Sequence, residues 1–576
     1  MSSIRDENVE KPAVAGTSPE TSKIQAIEKD NDSQSSATVG DEQTALGEEK
    51  IPYNKDYRFW LIMLTLCFSV TLASLESTVV ITSLPTIVEK LEMGKNYIWV
   101  ANAYFLSSTA VMPLFAQLCN LFGRKRVMVF IFAAYTVGSG ICGGANGGTM
   151  IIAGRVIQGI GSGGLQMAGE VIIADMVPLR YRGNYAAALM LVGTIGYTLG
   201  PFLGGIIVEN TTWRWVFYLN LPIGAIGMVV SYFFINLKYD REQSTMSKLR
   251  RIDYGGNFIL IAATISILIA LTWGGPVYPW SDARVIAPLI VGILGLVGFV
   301  IYEGSGIPVE PIMPLRLFSN WTSRIIYINT FFSNMAIFWG FYFIPIFFQA
   351  VMLSSPSRSG VQVLPMMLIA IPGAALAGFL LARFGRYKYL HVGGFVLLFA
   401  GVGLLALLSP DSSTGAWVML QAVPALGSGM LITTLLPAFQ ASSTEMDQAL
   451  ATGTWSFIRM FGYVWGIAVA STILNSYAKE YAHIIQDPMV RELLSSGDAY
   501  ASATKHFISQ FPEPIRTQII TVFHKALKKV FLFSMVFAGV PVLLVWFEKE
   551  ISLRQDLETE FGLEDKEKST KTEATP

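Results

Sequence analysis

Long apolar stretches recur along most of the chain and constrain its fold more than any other feature of the sequence. A transmembrane helix needs about 20 consecutive apolar residues, and we place fourteen such segments between Trp60 and Phe547. Only 14% of the residues are charged, and the mean hydropathy is +0.49, whereas about 25% of the residues of a soluble domain are charged. The sequence therefore predicts an all-α polytopic membrane protein with 14 transmembrane helices.

The basic residues of the connecting loops predict the orientation, because Lys and Arg accumulate on the cytosolic side of a membrane. Clusters such as Arg124-Lys125-Arg126 and Lys248-Leu-Arg250-Arg251 fall in alternate loops. Both termini are therefore expected in the cytosol. The predicted spans lie near residues 60–82, 98–120, 127–146, 150–174, 186–208, 215–236, 254–274, 284–303, 325–350, 361–382, 389–409, 415–439, 449–474 and 529–547.

Two short motifs recur at nearly the same separation. Phe-Gly-Arg occurs at 122–124 and 384–386, and Gly-Ser-Gly occurs at 161–163 and 427–429. Repeated halves around a central path are typical of secondary transporters, so we expect two pseudo-symmetric six-helix bundles. The predicted organisation is a disordered cytosolic tail (1–56), an N-terminal bundle (57–236), a region with a cytosolic loop, the inserted helices seven and eight and the following loop (237–320), a C-terminal bundle (321–547) with an outer loop (475–528), and a cytosolic tail (548–576).

Ionisable side chains inside the predicted spans are candidates for function, because each costs about 2.5–3.5 kcal/mol to insert. The first span contains Glu76 and the thirteenth contains Arg459. We predict a polar cavity in which Glu76 or Glu170 exchanges a proton; the alternative is a buried ion pair that only fixes helix packing. The fourth span carries five polar residues within a sector of about 120°, namely Arg155, Gln158, Ser162, Gln166 and Glu170.

The ninth span is dense in aromatic residues, which can bind an apolar or amphiphilic ligand. We expect a minority of them to line the cavity, with Phe338, Trp339, Tyr342 and the following Gln349 as candidates. The alternative is lipid-facing or core packing.

In the fifth span, small residues form a face that permits close helix approach. We interpret this face as the seam between the two halves; the alternative is a generic packing role. Its residues are Gly196, Gly200, Pro201, Gly204 and Gly205.

Other classes of site find little support in the sequence. The three cysteines and four histidines lack the spacing of metal ligands, and there is no Gly-Lys-Ser/Thr nucleotide loop. We therefore expect no metal, no cofactor and no enzymatic activity, and the net charge of zero does not suggest nucleic acid as a partner. Asn210-Thr-Thr212 is a glycosylation sequon on the predicted outer side.

These motifs together resemble the major facilitator superfamily, and within it the fourteen-span drug:proton antiporters, including fungal exporters of toxins and secondary metabolites. The resemblance makes Arg155 a proton-transfer residue and Gly123, Arg124 and Asp175 parts of a cytosolic gate. Two positions depart from the family pattern, since Glu76 and Asn120 stand where Asp is usual. The motifs are Leu75-Glu76-Ser-Thr78-Val79-Val80, Phe122-Gly123-Arg124-Lys125, Arg155-Val-Ile-Gln158-Gly159-Ile-Gly161 and Gly196-x-x-x-Gly200-Pro201-x-x-Gly204-Gly205.

The resemblance implies a proton-coupled efflux transporter for an apolar or amphiphilic small molecule, such as a drug, toxin, secondary metabolite or glycolipid, working by alternating access. We expect a monomer whose partners are its substrate, protons and the lipid bilayer, in the plasma membrane or alternatively the vacuolar membrane. A proton symporter that imports a siderophore or nutrient is the nearest alternative. A non-transporting receptor or scaffold is the alternative of another class.

Overall fold

The computed structural model describes residues 57–91, 93, 98–235, 244–274, 278–444, 447–495 and 499–553. The predicted tail 1–56 and most of the predicted tail 548–576 lie outside this range. The described part of the chain is helical and contains no β-strand. Its long helices are α1 (Tyr57–Lys90), α2 (Ile98–Phe122), α3 (Arg124–Gly143), α4 (Gly148–Met176), α5 (Arg182–Asn210), α6 (Asn220–Phe234), α7 (Tyr254–Trp273), α8 (Ala283–Gly304), α9 (Trp321–Ala350), α10 (Pro356–Phe384), α11 (Lys388–Leu404), α12 (Thr414–Gln440), α13 (Gln448–Tyr481) and α14 (Ile515–Leu544).

The number of membrane-crossing helices is not confirmed at fourteen. By length and composition, 12 segments of the described chain are able to span a membrane. Helices α4 and α5, each of 29 residues, are long enough but are not among the 12. Helix α4 carries the predicted polar stripe, and such side chains lower the hydropathy by which a span is recognised.

The same helix pairs pack in the first six and in the last six helices. In the first six helices the contacting pairs include α1–α5, α2–α4, α3–α4 and α3–α6. In the last six the equivalent pairs, in the same order, are α9–α13, α10–α12, α11–α12 and α11–α14. The two sets, called here the first half and the second half, meet along α2–α13 and α5–α10. Helices α7 and α8 pack on each other, and α7 also contacts α2 and α13.

The repeated Gly-Ser-Gly motif occupies equivalent places in the two halves. A Cβ atom built on Gly161 would lie 2.5 Å from the backbone N of Tyr135 in α3, and one built on Gly427 would lie 2.6 Å from the backbone N of Leu398 in α11. On the other side of each motif, Gly163 meets Ser108 of α2 and Gly429 meets Ala370 of α10. Helices α4 and α12 therefore touch the backbones of two neighbours each, and only glycine fits at these points.

The glycine face of α5 lies inside the first half. A Cβ on Gly196 would lie 3.0 Å from Ser74, and one on Gly200 would lie 3.0 Å from the carbonyl of Leu75, both in α1. Small residues thus let α1 and α5 approach closely. The face was expected to close against the other half, and the structure instead places Gly196 and Gly200 against α1.

The predicted outer loop 475–528 is shorter in the structure, because α13 continues to Tyr481 and α14 begins at Ile515. Between them lie short helices at Pro488–Ser495, Ala499–Ser502 and Lys505–Ile508. Apolar side chains of this segment, including Val490 and Leu494, are buried in one cluster with Phe523 of α14. The first turns of α14 are amphipathic in sequence because one side of them packs under this segment.

The residues that follow α14 are also anchored, although the sequence predicted a tail from 548. Glu548 is 1% exposed, and its carboxylate accepts a hydrogen bond from Asn329 Nδ2 (2.8 Å) and contacts His391 Nδ1 (2.8 Å). Glu550 accepts a hydrogen bond from the backbone N–H of Tyr387 (2.7 Å). Residues 545–553 therefore belong to the second half, joined to α9, to α11 and to the turn before α11.

We predict that Gly163→Ala and Gly429→Ala each lower the thermal stability of the purified protein, because the added methyl group would press on a neighbouring carbonyl. Overpacking of this kind costs about 1–3 kcal/mol. Gly298→Ala in α8 is the matched control, since nothing lies within 4 Å of its added Cβ. Melting temperatures in detergent test this; equal melting of all three variants would contradict the packing role of the repeated motif.

Candidate functional site

A fully buried carboxylate lies in the middle of the first half. Glu76 of α1 is 0% exposed and forms an ion pair with Arg155 of α4. Its second oxygen accepts a hydrogen bond from Asn220 Nδ2 (2.5 Å), at the start of α6. Arg155 also donates to Gln158 Oε1 (2.8 Å), and Gln158 donates to Ser139 Oγ (2.8 Å). Four helices thus contribute to one polar network around Glu76.

Arg155 is held on every side. Its Nε donates to the carbonyl of Val100 (2.7 Å), and the guanidinium lies 4.3 Å above the ring of Tyr104. The hydroxyl of Tyr104 is in turn hydrogen-bonded to Ser162 Oγ (2.6 Å). Three members of the predicted polar stripe, Arg155, Gln158 and Ser162, are therefore buried inside the first half and do not face an open cavity.

The remaining part of the stripe faces the second half. Glu170 of α4 forms an ion pair with Arg459 of α13 (2.7 Å) and is hydrogen-bonded to Ser456. The two charged side chains are 20% and 12% exposed, and Gln166 on the same helix is half-buried. Because 15 residues separate Arg155 and Glu170, and each residue advances a helix by about 1.5 Å, the two ion pairs form separate sites.

Aromatic side chains adjoin Arg459. The rings of Phe338 in α9 and Tyr463 in α13 stack with centroids 3.5 Å apart, and Tyr342 lies 6.1 Å from Phe338. Phe338 and Tyr342 are both half-buried. Because Tyr463 follows Arg459 by about one turn of α13, this aromatic group lies about one turn from the ion pair that joins the two halves.

Trp339 and Gln349 do not join this aromatic group. Trp339 is 0% exposed and packs against Phe537 of α14, with ring centroids 5.7 Å apart, so it belongs to the core of the second half. Its neighbour Phe338 points about 100° away around the helix. Gln349 is half-buried near the end of α9, about 16 Å along the helix from Phe338.

The predicted gate pair is present at the end of α4. Arg124 Nε donates to Asp175 Oδ2 (2.7 Å) and its terminal nitrogen donates to Oδ1 (3.3 Å), while a third donor bonds the carbonyl of Cys119 (2.9 Å). Gly123 precedes Arg124 with φ of 82°, a backbone conformation that favours glycine. The pair ties the start of α3 to the end of α4; its role as a gate remains a prediction.

At this same end, which the loop charges predict to be cytosolic, hydrogen bonds join the two halves. Arg182, at the start of α5, donates to the side-chain oxygens of Gln440 (2.7 Å) and Gln448 (2.8 Å) in the second half. Arg180 donates to the carbonyls of Ala382 (2.5 Å) and Arg383 (2.7 Å). The inner ends of α5, α10, α12 and α13 are thereby closed on one another.

One candidate modification site and three free thiols lie elsewhere in the helices. Asn210 is exposed at the end of α5, where its Nδ2 donates to the carbonyl of Ile206 (2.9 Å); its glycosylation remains a prediction. Cys119 and Cys142 are buried free thiols, and Cys67 is half-buried. Within the described ranges, no group of three or more His, Cys, Asp or Glu side chains is placed to hold a metal ion.

Sequence reasoning missed two residues of these sites. Asn220 is a polar residue at the start of an apolar span, and this was a usable signal, but nothing in the sequence shows that α6 begins beside Glu76. Arg182 is one of the basic residues of a predicted cytosolic loop, and its charge alone does not show which residues it bonds. Its hydrogen bonds to Gln440 and Gln448 depend on contacts between halves that are more than 250 residues apart in the sequence.

The structure has two bundles of repeated topology, ion pairs buried in their helices, and hydrogen bonds that close the bundles on each other at one end. These are features of a polytopic transporter. The Major Facilitator Superfamily model matches residues 66–467, and the chain belongs to this family. It is 45% identical over 525 residues to the MFS-type transporter TwmF of Talaromyces wortmannii, covering 91% of this chain and 96% of TwmF. It is 40% identical to Efflux pump FUS6 of Gibberella fujikuroi and to MFS efflux transporter aclA of Aspergillus oryzae, each match covering 89% of this chain and 93% of the relative.

Solved structures agree on the fold. The human organic anion transporter MFSD10 superposes with a TM-score of 0.52 at 13% identity, covering 83% of this chain and 99% of MFSD10. The proton:xylose symporter XylE superposes with a TM-score of 0.53 at 14% identity, covering 88% of this chain and 99% of XylE. The chain is thus a multi-pass membrane transporter of this superfamily, whose members bind small-molecule substrates.

We predict that Arg182→Gln opens the inner ends of the two halves. Its side chain makes two hydrogen bonds between the halves, and a hydrogen bond to a charged group contributes about 1.5–3 kcal/mol. Losing even one of them, at about 1.5–3 kcal/mol, would shift a two-state equilibrium by a factor of about 12–150. Spin labels on Arg126→Cys and Tyr389→Cys, both exposed at this end, should then report a longer distance by pulsed electron resonance.

Arg386→Gln is the control for this measurement, because Arg386 is an exposed arginine at the same end. The control should keep the wild-type distance distribution. An Arg182→Gln distribution identical to that of the wild type would show that the inner closure does not depend on this residue.

Proposed function

We propose that this protein is a proton-coupled exporter of an apolar or amphiphilic small molecule. The observation that carries the proposal is the burial of Glu76 at 0% exposure, with Arg155 and Asn220 on its two oxygens. A carboxylate at such a site changes the charge balance of four helices when it gains or loses a proton. The names of the relatives FUS6 and aclA, which are called an efflux pump and an efflux transporter, support the outward direction.

Protonation of Glu76 neutralises the acidic member of the ion pair and leaves Arg155 as an uncompensated buried cation. Such a cation is strongly unfavourable in a low-dielectric interior, so the network must rearrange. Asn220 is a positioning residue in this scheme, because it holds the second oxygen of Glu76 and connects the start of α6 to the network. Proton uptake is thereby converted into a change of helix contacts within the first half.

The Glu170–Arg459 pair connects this chemistry with the substrate. It bridges α4 and α13, which belong to different halves, and it is in part accessible. A proton on Glu170 would weaken this bridge and leave Arg459 available to a polar group of the substrate. The stacked rings of Phe338 and Tyr463 supply an adjoining apolar surface, which favours an aromatic amphiphile.

The proton motive force, which includes the membrane potential, supplies the work of export. Each proton that moves inward across 100 mV contributes about 2.3 kcal/mol, which corresponds to a roughly 50-fold concentration ratio at 1.4 kcal/mol per tenfold. One proton per cycle is therefore sufficient for substantial export. We further propose the plasma membrane as the site of action, because export from the cell requires it; transport into the vacuole is the alternative.

We predict that Glu76→Gln abolishes export driven by a pH gradient, because glutamine cannot exchange a proton. The assay uses proteoliposomes with an imposed pH gradient and a panel of neutral, cationic and anionic aromatic dyes, beginning with rhodamine 6G. Accumulation of the transported dye against its gradient should fall at least about tenfold. Downhill exchange of the same dye should persist, because the aromatic surface beside Arg459 is unchanged. Glu480→Gln, on an exposed carboxylate of α13, is the control.

Three results would overturn the proposal. Full pH-dependent export by both Glu76→Gln and Glu170→Gln would remove these carboxylates from proton coupling. Substrate movement in the same direction as the proton would make the protein a symporter. Absence of transport for the whole panel, together with an unchanged composition of exported metabolites in cells that lack the protein, would favour a receptor or scaffold.

A further inference from the structure

The inner end of the α7–α8 pair contains two buried carboxyl groups that the proposed function does not use. Asp253 directly precedes α7 and Glu303 lies in the last turn of α8, and they are 4% and 6% exposed. Both approach Gly256, since a Cβ atom on that glycine would meet Asp253 Oδ2 and would lie 2.9 Å from Glu303 Oε1. The two acids thus face each other across one turn of helix.

Each carboxyl group has one occupied and one unoccupied oxygen. Asp253 Oδ1 accepts hydrogen bonds from the backbone N–H of Gly256 (2.8 Å) and from the hydroxyl of Tyr302 (3.2 Å). Glu303 Oε1 accepts one from the backbone N–H of Ile312 (3.3 Å). Asp253 Oδ2 and Glu303 Oε2 are buried and have no hydrogen-bond partner among the described residues.

Two other buried carboxyl groups at this end are paired with an arginine. Asp175 is bonded to Arg124, and Asp447 is bonded to Arg316. Although burial opposes the charge of Asp447, the hydrogen bonds and charge of Arg316 hold its pKa below the usual value. Asp253 and Glu303 have no such partner in the described structure.

Among the ion pairs of the described residues, none joins Asp253 or Glu303 to a cation. Arg251 forms its ion pair with Glu310, and Lys248 lies in the preceding short helix, Thr245–Arg250. Helix α2 contributes the neutral side chain of Gln117, which bonds Asn257 (3.2 Å) and the carbonyl of Glu310 (2.8 Å). Two buried carboxylates that both lie against Gly256 cannot both be ionised without a cation, because like charges so close together repel strongly.

We propose that Asp253 and Glu303 form a second proton-binding site, which holds one proton between the two carboxyl groups. The helix dipoles place this proton on Glu303, because an anion is stabilised at the start of α7 and destabilised at the end of α8. The O–H of Glu303 then donates to Asp253 Oδ2 and provides a partner for both unoccupied oxygens. The site is separate from Glu76 and does not depend on the proposed export activity.

The proton also stabilises the linker between α8 and α9. Ile312, whose N–H is bonded by Glu303, is 1% exposed and packs in one cluster with Phe457 and Phe461 of α13. Loss of the proton would drive Glu303 away from Asp253 and loosen this attachment. Because the partly exposed Arg251–Glu310 pair lies at the same end, the site is placed to equilibrate with the cytosolic pH under the predicted topology.

Glu303→Gln tests this proposal through the pH dependence of melting. The folded protein binds one more proton than the unfolded chain at neutral pH, so wild-type stability falls as pH rises. Over about pH 6 to about pH 9, above the ordinary carboxyl range, the melting temperature of the wild type should fall. The amide of Glu303→Gln donates to Asp253 at every pH. The melting temperature of this variant should therefore be close to that of the wild type at about pH 6 and higher than that of the wild type at about pH 9. Glu310→Gln is the matched control and should keep the wild-type slope.

Infrared difference spectra give a second readout that does not depend on reversible unfolding. A protonated-carboxyl band that titrates in a protein carrying both Glu76→Gln and Glu170→Gln should disappear when Glu303→Gln is added. The proposal is overturned if Glu303→Gln lowers the melting temperature equally at every pH, or if the band remains. It is also overturned if Mg²⁺ or Ca²⁺ stabilises the wild type at high pH but does not stabilise Glu303→Gln, because the pair would then be a cation site.

Discussion

The cost of a charge away from water governs the arrangement of this protein more than any other interaction. Each ionic group that the helices bury has to find a partner within the chain, and these partners come from other helices. Glu76 connects α1 to α4 and α6, Glu170 connects α4 to α13, and Glu548 connects the end of the chain to α9 and α11. The apolar surfaces hold the helices in the bilayer, and the ion pairs join particular neighbours among them.

These ion pairs divide into two kinds that suit different parts of a transport cycle. The Glu76 network is confined to one half, so it can change its protonation without separating the halves. The Glu170–Arg459 pair and the Arg182 contacts cross between halves, so they must break when the halves move apart. Backbone contacts at Gly163 and Gly429 join α4 and α12 closely to their neighbours within each half, so the proposed cycle would move the halves at the α2–α13 and α5–α10 contacts.

Hydropathy and motif spacing predicted the helical class, the family and the repeated Gly-Ser-Gly positions, because these properties depend on composition and local spacing. They also selected Glu76, Arg155, Glu170 and Arg459, since a charged residue in an apolar span is conspicuous. The pairing of these residues and the part of Asn220 were not predictable, because they depend on which helices meet. Phe338 and Trp339 illustrate the same limit: an aromatic helix without a polar face does not show which of two adjacent rings enters the core.

The Glu548 anchor has a consequence for how the protein is made. Glu548 lies 157 residues after His391 and 219 after Asn329, so translation of α9 and α11 is complete long before their carboxylate partner is synthesised. Until then the inner end of the second half holds buried polar groups without their partner. A chain that stops short of Glu548 would keep all fourteen long helices yet present this defect permanently, and cellular quality control has a local reason to recognise it as unfinished.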